Sequence, residues 1–193
     1  MGGLQELAVW QVVVAHPVAA LALVFLLDGL GLPLMPEVAA LLAFAHDPTL
    51  AWGATLLGLI VAMEVVAAVV LYTLVDTLGA PRLVRRLMAG YTTAMLVRDE
   101  RLLLLNRVVP VLPIAGAFIA VNQWRPLRSF AFIALGSAAK YSLVFALSSL
   151  AFAYFSGPWA LAASLSLGGL FLAASWTLSL RRWVAARRAA APQ

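Results

Sequence analysis

The stretch that decides the fold is WGATLLGLIVAMEVVAAVVLYTLV, residues 52–75, which carries a single charged side chain, Glu64. At about 1.5 Å per residue, a helix of this length crosses a hydrocarbon core about 30 Å thick. The segment therefore predicts a membrane-spanning helix. Residues 129–155, in which Lys140 is the one charge, and residues 159–180, which have none, share this character.

The composition of the whole chain agrees with that interpretation. Of its 193 residues, 64% are hydrophobic and 11% are charged, whereas soluble domains carry about 25% charged residues. The absence of cysteine excludes disulfides and thiolate metal sites. The net charge of +5 comes from arginines beside hydrophobic segments, which favours a membrane over nucleic acid as the partner.

The predicted fold class is an all-α integral membrane protein with four transmembrane helices and two re-entrant helical hairpins. The predicted spans are residues 8–27, 52–76, 129–155 and 159–180. The hairpins are the apolar pieces 32–45 and 108–121, each of which reaches only about 21 Å as a helix. Each piece also contains two prolines, Pro33 and Pro36 in the first and Pro110 and Pro113 in the second.

Arginine placement predicts the orientation. If both short pieces are re-entrant, the arginines between 82 and 101, at 125 and 128, and between 181 and 188 all lie on one face, as the positive-inside rule requires. Both termini are then cytoplasmic, in a prokaryotic cell membrane. The connector 81–105 mixes basic and apolar residues and is expected to lie partly on the inner surface as an amphipathic helix.

A shift of 77 residues aligns the two hairpins and the spans that follow them. Residues 33–36 (PLMP) fall on 110–113 (PVLP), and residues 52–78 fall on 129–155. With hairpins entering from opposite faces, this pattern is typical of an inverted repeat; the alternative is chance similarity between apolar segments. The chain is then one membrane domain, 1–193. It divides into repeat 1 (28–79), the connector, repeat 2 (106–155), a C-terminal helix (158–182) and a basic tail (181–193).

Three pieces of sequence resemble the DedA/VTT membrane-protein superfamily, the SNARE-associated Golgi proteins. They are DGLGLPLMPE at 28–37, the Tyr72 to Gly79 end of the next span, and RVVPVLP at 107–113 with AVNQWRPLRSF at 120–130. Met35 and Val75 stand where the family has glycine. The resemblance implies a transporter of phosphate-bearing lipids, either polyprenyl phosphates or phospholipids, with possible proton coupling. A related group of small-molecule and multidrug exporters is the alternative.

Charged side chains deep in a span are costly, at about 2.5–3.5 kcal/mol each, and need a reason. Glu64 and Lys140 occupy nearly equivalent positions in the two repeats, so we expect them to meet. They could form a buried ion pair that fixes helix packing, or a titratable pair coupled to transport.

The remaining candidate site residues lie at the hairpins. Arg107 suits a phosphate, together with the N–H groups of a helix beginning near Pro113; alternatively it satisfies hairpin carbonyls or an acid. Glu37, which follows Pro36, either caps a helix start or serves as the acid that competes for Arg107. Asp28 ends the first span, where it could simply be solvated.

The predicted function is therefore transport, with membrane lipids as partners, a possible homo-oligomer, and no nucleic acid. No cofactor, metal site or catalytic residue is expected, because the chain lacks the serine, histidine and paired-aspartate motifs of intramembrane enzymes. A non-transporting membrane assembly factor is the other alternative.

Overall fold

The computed structural model describes residues 16–32, 34–80, 99–108 and 114–155, with residues 159–160, 162–166, 169–170, 173 and 177. Over these residues the chain is helical and contains no strand. The helices are α1 (Pro17–Gly29), α2 (Pro36–His46), α3 (Leu50–Leu78), α4 (Leu102–Val108), α5 (Ala115–Val121) and α6 (Pro126–Tyr154).

The two long helices, α3 and α6, are each 29 residues long and begin 76 positions apart, at Leu50 and Pro126. Both are long and apolar enough to cross a membrane. Only 28% and 33% of their most apolar stretches are buried inside the protein. A core helix of a soluble protein would be mostly buried, whereas these helices present apolar side chains such as Leu135 and Leu143 to their surroundings.

Of the other two predicted spans, the structure describes only parts. Residues 17–27 of the first belong to α1, and the described residues between 159 and 177 are helical. The rest of both segments lies outside the described residues.

Local sequence explains where the helices start and stop. Pro17, Pro36 and Pro126 each stand in the first turn of a helix, where a missing N–H costs nothing. The Thr49 hydroxyl caps α3 by accepting a hydrogen bond from the Trp52 N–H at 3.3 Å. Helix α3 ends at Leu78 and is followed by Gly79, whose φ of 77° suits glycine.

Two apolar clusters form the interior. The first joins α1, α2, α3 and α6, and the second joins α3 to α6 through α4 and α5. On α3, Ile60 belongs to the first cluster and Ala68 to the second; on α6, Ile133 belongs to the second and Tyr141 to the first. The long helices therefore run antiparallel.

Small residues bring neighbouring helices close to α3. A Cβ at Gly29 of α1 would lie 2.5 Å from the Ala67 Cβ, and one at Gly116 of α5 would collide with the Ala68 carbonyl oxygen. Close approach through small residues is the usual packing of membrane helices. On the other flank, the Trp52 indole N–H donates to the Ala43 carbonyl at 2.8 Å and ties α2 to α3.

The short apolar pieces form short helices. In the first, helix α2 begins at Pro36. In the second, helix α5 begins at Ala115, two residues after Pro113 and so near the predicted start, and residues 109–113 lie outside the described residues. Residues 81–98 of the predicted connector also lie outside them. Leu102 and Leu103 near its end are buried in the second cluster rather than spread on a surface.

Candidate functional site

The two long helices each carry a charge at their midpoint. Glu64 lies 14 residues from both Leu50 and Leu78, and Lys140 lies 14 residues from both Pro126 and Tyr154. Each is therefore about 21 Å from either end of its helix, beyond the reach of a snorkelling side chain. In a helix that crosses a membrane, a charge at this position needs a partner inside the protein.

The partner of Glu64 is Arg107 of α4. The Arg107 Nε lies 3.3 Å from the Glu64 Oε2, and the two side chains are 14% and 5% exposed. The Ser137 hydroxyl of α6 is hydrogen-bonded to the same oxygen. The Arg107 Nε is buried and has no hydrogen-bond partner among the described residues, so its contact with Glu64 is electrostatic rather than an aligned hydrogen bond.

The partner of Lys140 is Glu37 of α2. The Lys140 Nζ forms an ion pair and hydrogen bond with the Glu37 Oε1, and the two side chains are 11% and 12% exposed. Glu37 is the second residue of α2, directly after the buried Pro36. A carboxylate there also complements the positive end of the helix.

Two sequence-based predictions are therefore wrong in their pairings. Glu64 and Lys140 are not partners, and Arg107 does not face Glu37. Residues at equivalent repeat positions meet only if both lie on the axis that relates the repeats. Here each mid-helix charge instead reaches across to the other half of the chain: Glu64 to Arg107, and Lys140 to Glu37. Both ion pairs consequently fasten one predicted repeat to the other.

Asp28 and Tyr141 complete the group, which we call the charged cluster: Asp28, Glu37, Glu64, Arg107, Lys140 and Tyr141. Asp28 lies within electrostatic range of all four paired side chains, and Tyr141 lies within range of Asp28, Glu37, Glu64 and Arg107. Asp28 forms no ion pair with any residue that the structure describes. The fully buried Tyr141 hydroxyl likewise has no hydrogen-bond partner there.

The cluster holds an uneven number of charges. Over the described residues it contains three carboxylates, two cations and the neutral Tyr141 phenol, so its net charge is −1 when the carboxylates and the cations are ionised. A buried net charge is unfavourable in a medium of low polarity. Uptake of one proton would bring the cluster to neutrality.

All five charged residues singled out in the sequence are thus brought together. Pro36 is buried at the start of α2, whereas Pro33, Pro110 and Pro113 lie outside the described residues.

Sequence reasoning missed Gly136, Ser137 and Tyr141 as parts of the site. A Cβ at Gly136 would lie 2.9 Å from the Arg107 Cγ, so the glycine makes room for the arginine stem. Helical spacing could have identified Ser137 and Tyr141. They are four residues apart, so they lie on the same side of a helix, and they flank Lys140 on a span with few other polar groups.

Three further residues, Arg128, His16 and His46, are placed differently. The exposed Arg128 forms an ion pair with the half-buried Glu100 at 3.8 Å, and His16 and His46 lie exposed at helix ends. Within the described residues, no three histidine or acidic side chains are grouped as a metal site would require.

Comparisons of the chain with protein-family models, with curated proteins and with solved structures found no match.

Proposed function

We propose that this protein is a membrane transporter that moves a phosphate-bearing lipid, a polyprenyl phosphate or a phospholipid, across a prokaryotic cell membrane with coupling to protons. The observation that carries the proposal is the charged cluster at the midpoint of α3 and α6. Ionisable side chains at membrane depth are rare, and they commonly mark substrate or ion pathways.

The membrane arrangement is part of the proposal. Four spans and two hairpins entering from opposite faces would place the short helices α2 and α5 beside the midpoints of antiparallel α3 and α6. The apolar outer surfaces of the long helices and their 76-residue offset support this arrangement. Substrate sites of inverted-repeat transporters lie at such a repeat interface.

Arg107 is the group best suited to an anionic head group. Its Nε is a buried donor without a hydrogen-bond partner among the described residues. The guanidinium matches a phosphate in shape, and hydrogen bonds between them are charge-assisted. The nearby Tyr141 hydroxyl is a second buried donor that has no hydrogen-bond partner among the described residues. A phosphate that displaced Glu64 from Arg107 would satisfy both.

Charge balance links substrate to protons. A monoanionic phosphate would make the net charge of the cluster more negative, from −1 to −2, so its binding favours protonation of the carboxylates. Glu64 is the group whose protonation releases Arg107, since it is the carboxylate paired with it. Protons and substrate then strengthen each other's binding by the same factor.

One observation favours a non-transporting assembly factor as the second candidate. Both ion pairs join the two halves of the chain, which is also what a purely structural role would require. A small-solute exporter would use the same cluster for a different cargo. Measurements of lipid and solute transport by the purified protein distinguish these three functions.

The test is transbilayer movement of labelled polyprenyl phosphate and phospholipid in liposomes containing the purified chain. Wild type should transport, Arg107→Ala should be inactive, and Arg107→Lys should be slow because lysine lacks the planar fork. Arg101→Ala is the matched control, since that arginine is 78% exposed and lies outside the cluster.

Arg107→Ala leaves Glu64 buried without its cation, so the double variant Arg107→Ala with Glu64→Gln serves as the folded inactive protein. Wild-type lipid rates in the double variant, at equal protein content, would show that the pair is structural. Movement of small solutes without lipids would favour the exporter.

A further inference from the structure

The Ser137 hydroxyl has one hydrogen to donate and two acceptor oxygens within reach. Its side chain is fully buried, and its Oγ is hydrogen-bonded both to the Glu64 Oε2 and to the Ile133 carbonyl oxygen, the latter at 2.8 Å. A serine hydroxyl carries one donor hydrogen and can also accept. With a single hydrogen, the hydroxyl directs its donor bond mainly to one of the two oxygens at a time.

This count leaves two arrangements. When Glu64 is ionised, the hydroxyl donates to the carboxylate, and the Ile133 carbonyl keeps only its helical hydrogen bond. When Glu64 is protonated, the acid donates to the Ser137 Oγ, and the hydroxyl turns to donate to Ile133. Rotation about one side-chain bond converts one arrangement into the other, and neither leaves the Glu64 Oε2 without a partner.

We propose that Ser137 is the positioning residue that stabilises both protonation states of Glu64 and thereby sets the pH at which Arg107 becomes free for an anionic head group. The link to transport rests on the proposed function. The link between Ser137 and the Glu64 carboxyl group does not, because it rests on the hydrogen bond between them.

The adjacent residue supports this role. Gly136 admits the stem of Arg107, with a hypothetical Cβ 2.9 Å from the Cγ and 3.0 Å from the Cβ of the arginine. Consecutive residues of α6 therefore hold the two members of the ion pair, Gly136 the cation and Ser137 the carboxylate. A substitution at Ser137 therefore changes the contact with Glu64 and leaves the space beside Gly136, which the Arg107 side chain fills, unchanged.

Other charged and titratable groups also surround Glu64. Arg107 of α4 is paired with it, and Asp28 of α1 and Tyr141 of α6 lie within electrostatic range of it. Glu37 of α2 and Lys140 of α6 lie within range of Asp28 in the same cluster. They change the energy of the ionised carboxylate through space, whereas Ser137 is hydrogen-bonded to it in either state. Replacing Ser137 therefore removes its hydrogen bond to Glu64 and leaves the surrounding charged residues in place.

The experiment is infrared difference spectroscopy of the purified protein in lipid nanodiscs as pH is varied. The C=O band of protonated Glu64 is assigned by its loss in Glu64→Gln. In Ser137→Ala the ionised form loses a charge-assisted hydrogen bond, which is worth more than the neutral one. The band should therefore persist to a pH higher by about one unit, and its frequency should change because the acid has lost its acceptor.

Ser148→Ala is the matched control. Ser148 is also buried on α6 and donates to the carbonyl four residues earlier, that of Val144, at 2.9 Å, but it has no carboxylate partner among the described residues. This variant should leave the Glu64 band unchanged. Ser137→Thr keeps the hydroxyl and should restore the wild-type midpoint.

An unchanged band in Ser137→Ala, an equal shift in Ser148→Ala, or no Glu64 band at any pH in the wild type would overturn the proposal. In liposomes, the pH profile of lipid transport should move with the band. A wild type whose band behaves as expected but which moves no lipid would refute the proposed function and leave the role of Ser137 standing.

Discussion

At the scale of single residues, the charged cluster combines two buried ion pairs with one acidic side chain that has no cationic partner in the described structure. Such pairs add little net stability compared with apolar residues of similar size, but removing one partner leaves an uncompensated charge. The cost of a single substitution therefore reports which residues are partners.

Lys140→Met should strand Glu37 and lower the free energy of unfolding by about 3–5 kcal/mol. The double change Glu37→Gln with Lys140→Met should recover much of that loss, which a double-mutant cycle in detergent measures. Pairing Lys140→Met with Glu64→Gln should give the smaller coupling, because Glu64 is bound to Arg107. The reverse order of couplings would contradict the observed pairing. Arg101→Met, at an exposed pair, should cost less than about 1 kcal/mol.

At the scale of helices, the distance between α4 and α6 is set by a single missing methyl group. A Cβ at Gly136 would meet the Arg107 stem on one side and the Leu104 carbonyl oxygen, at 3.2 Å, on the other. A flexible side chain could move aside, but the backbone carbonyl moves only with its helix.

Gly136→Ala should therefore destabilise the protein by about 1–3 kcal/mol through overpacking, and should slow lipid transport by displacing Arg107. Gly58→Ala is the control on α3, because nothing lies within 4 Å of its hypothetical Cβ. It should stabilise the helix by up to about 1 kcal/mol. Thermal unfolding of both variants in one detergent makes the comparison; a neutral Gly136→Ala would mean that α4 is loosely held.

At the scale of the whole molecule, antiparallel α3 and α6 begin at opposite ends of the bundle. His46 precedes the start of α3 and Arg125 precedes the start of α6, and both are exposed. In a membrane these residues should face opposite sides, as hairpins entering from opposite faces require.

The natural chain has no cysteine, so His46→Cys and Arg125→Cys each create a unique thiol. A membrane-impermeant maleimide applied to intact cells should label the first only, and applied to inverted vesicles it should label the second only. Labelling of both from one side would exclude the inverted repeat.

The amino-acid sequence alone determined the all-helical class, the two helices long and apolar enough to cross a membrane, and the five charged residues of the cluster. Each of these follows from local quantities: the length of an apolar run, the spacing of prolines, and the cost of a charge far from either end of a helix.

Only the tertiary structure decided which cation faces which carboxylate. Two cations and three carboxylates permit several pairings of equal charge, and repeat symmetry suggested the wrong one for Glu64 and Lys140. The packing of α4 and α2 against the long helices selects the observed pairs, because it places Arg107 beside Glu64 of α3 and Glu37 beside Lys140 of α6. Ser137 and Gly136 became visible for the same reason: a hydroxyl or a missing Cβ acquires a role only from the atoms that another helix places beside it.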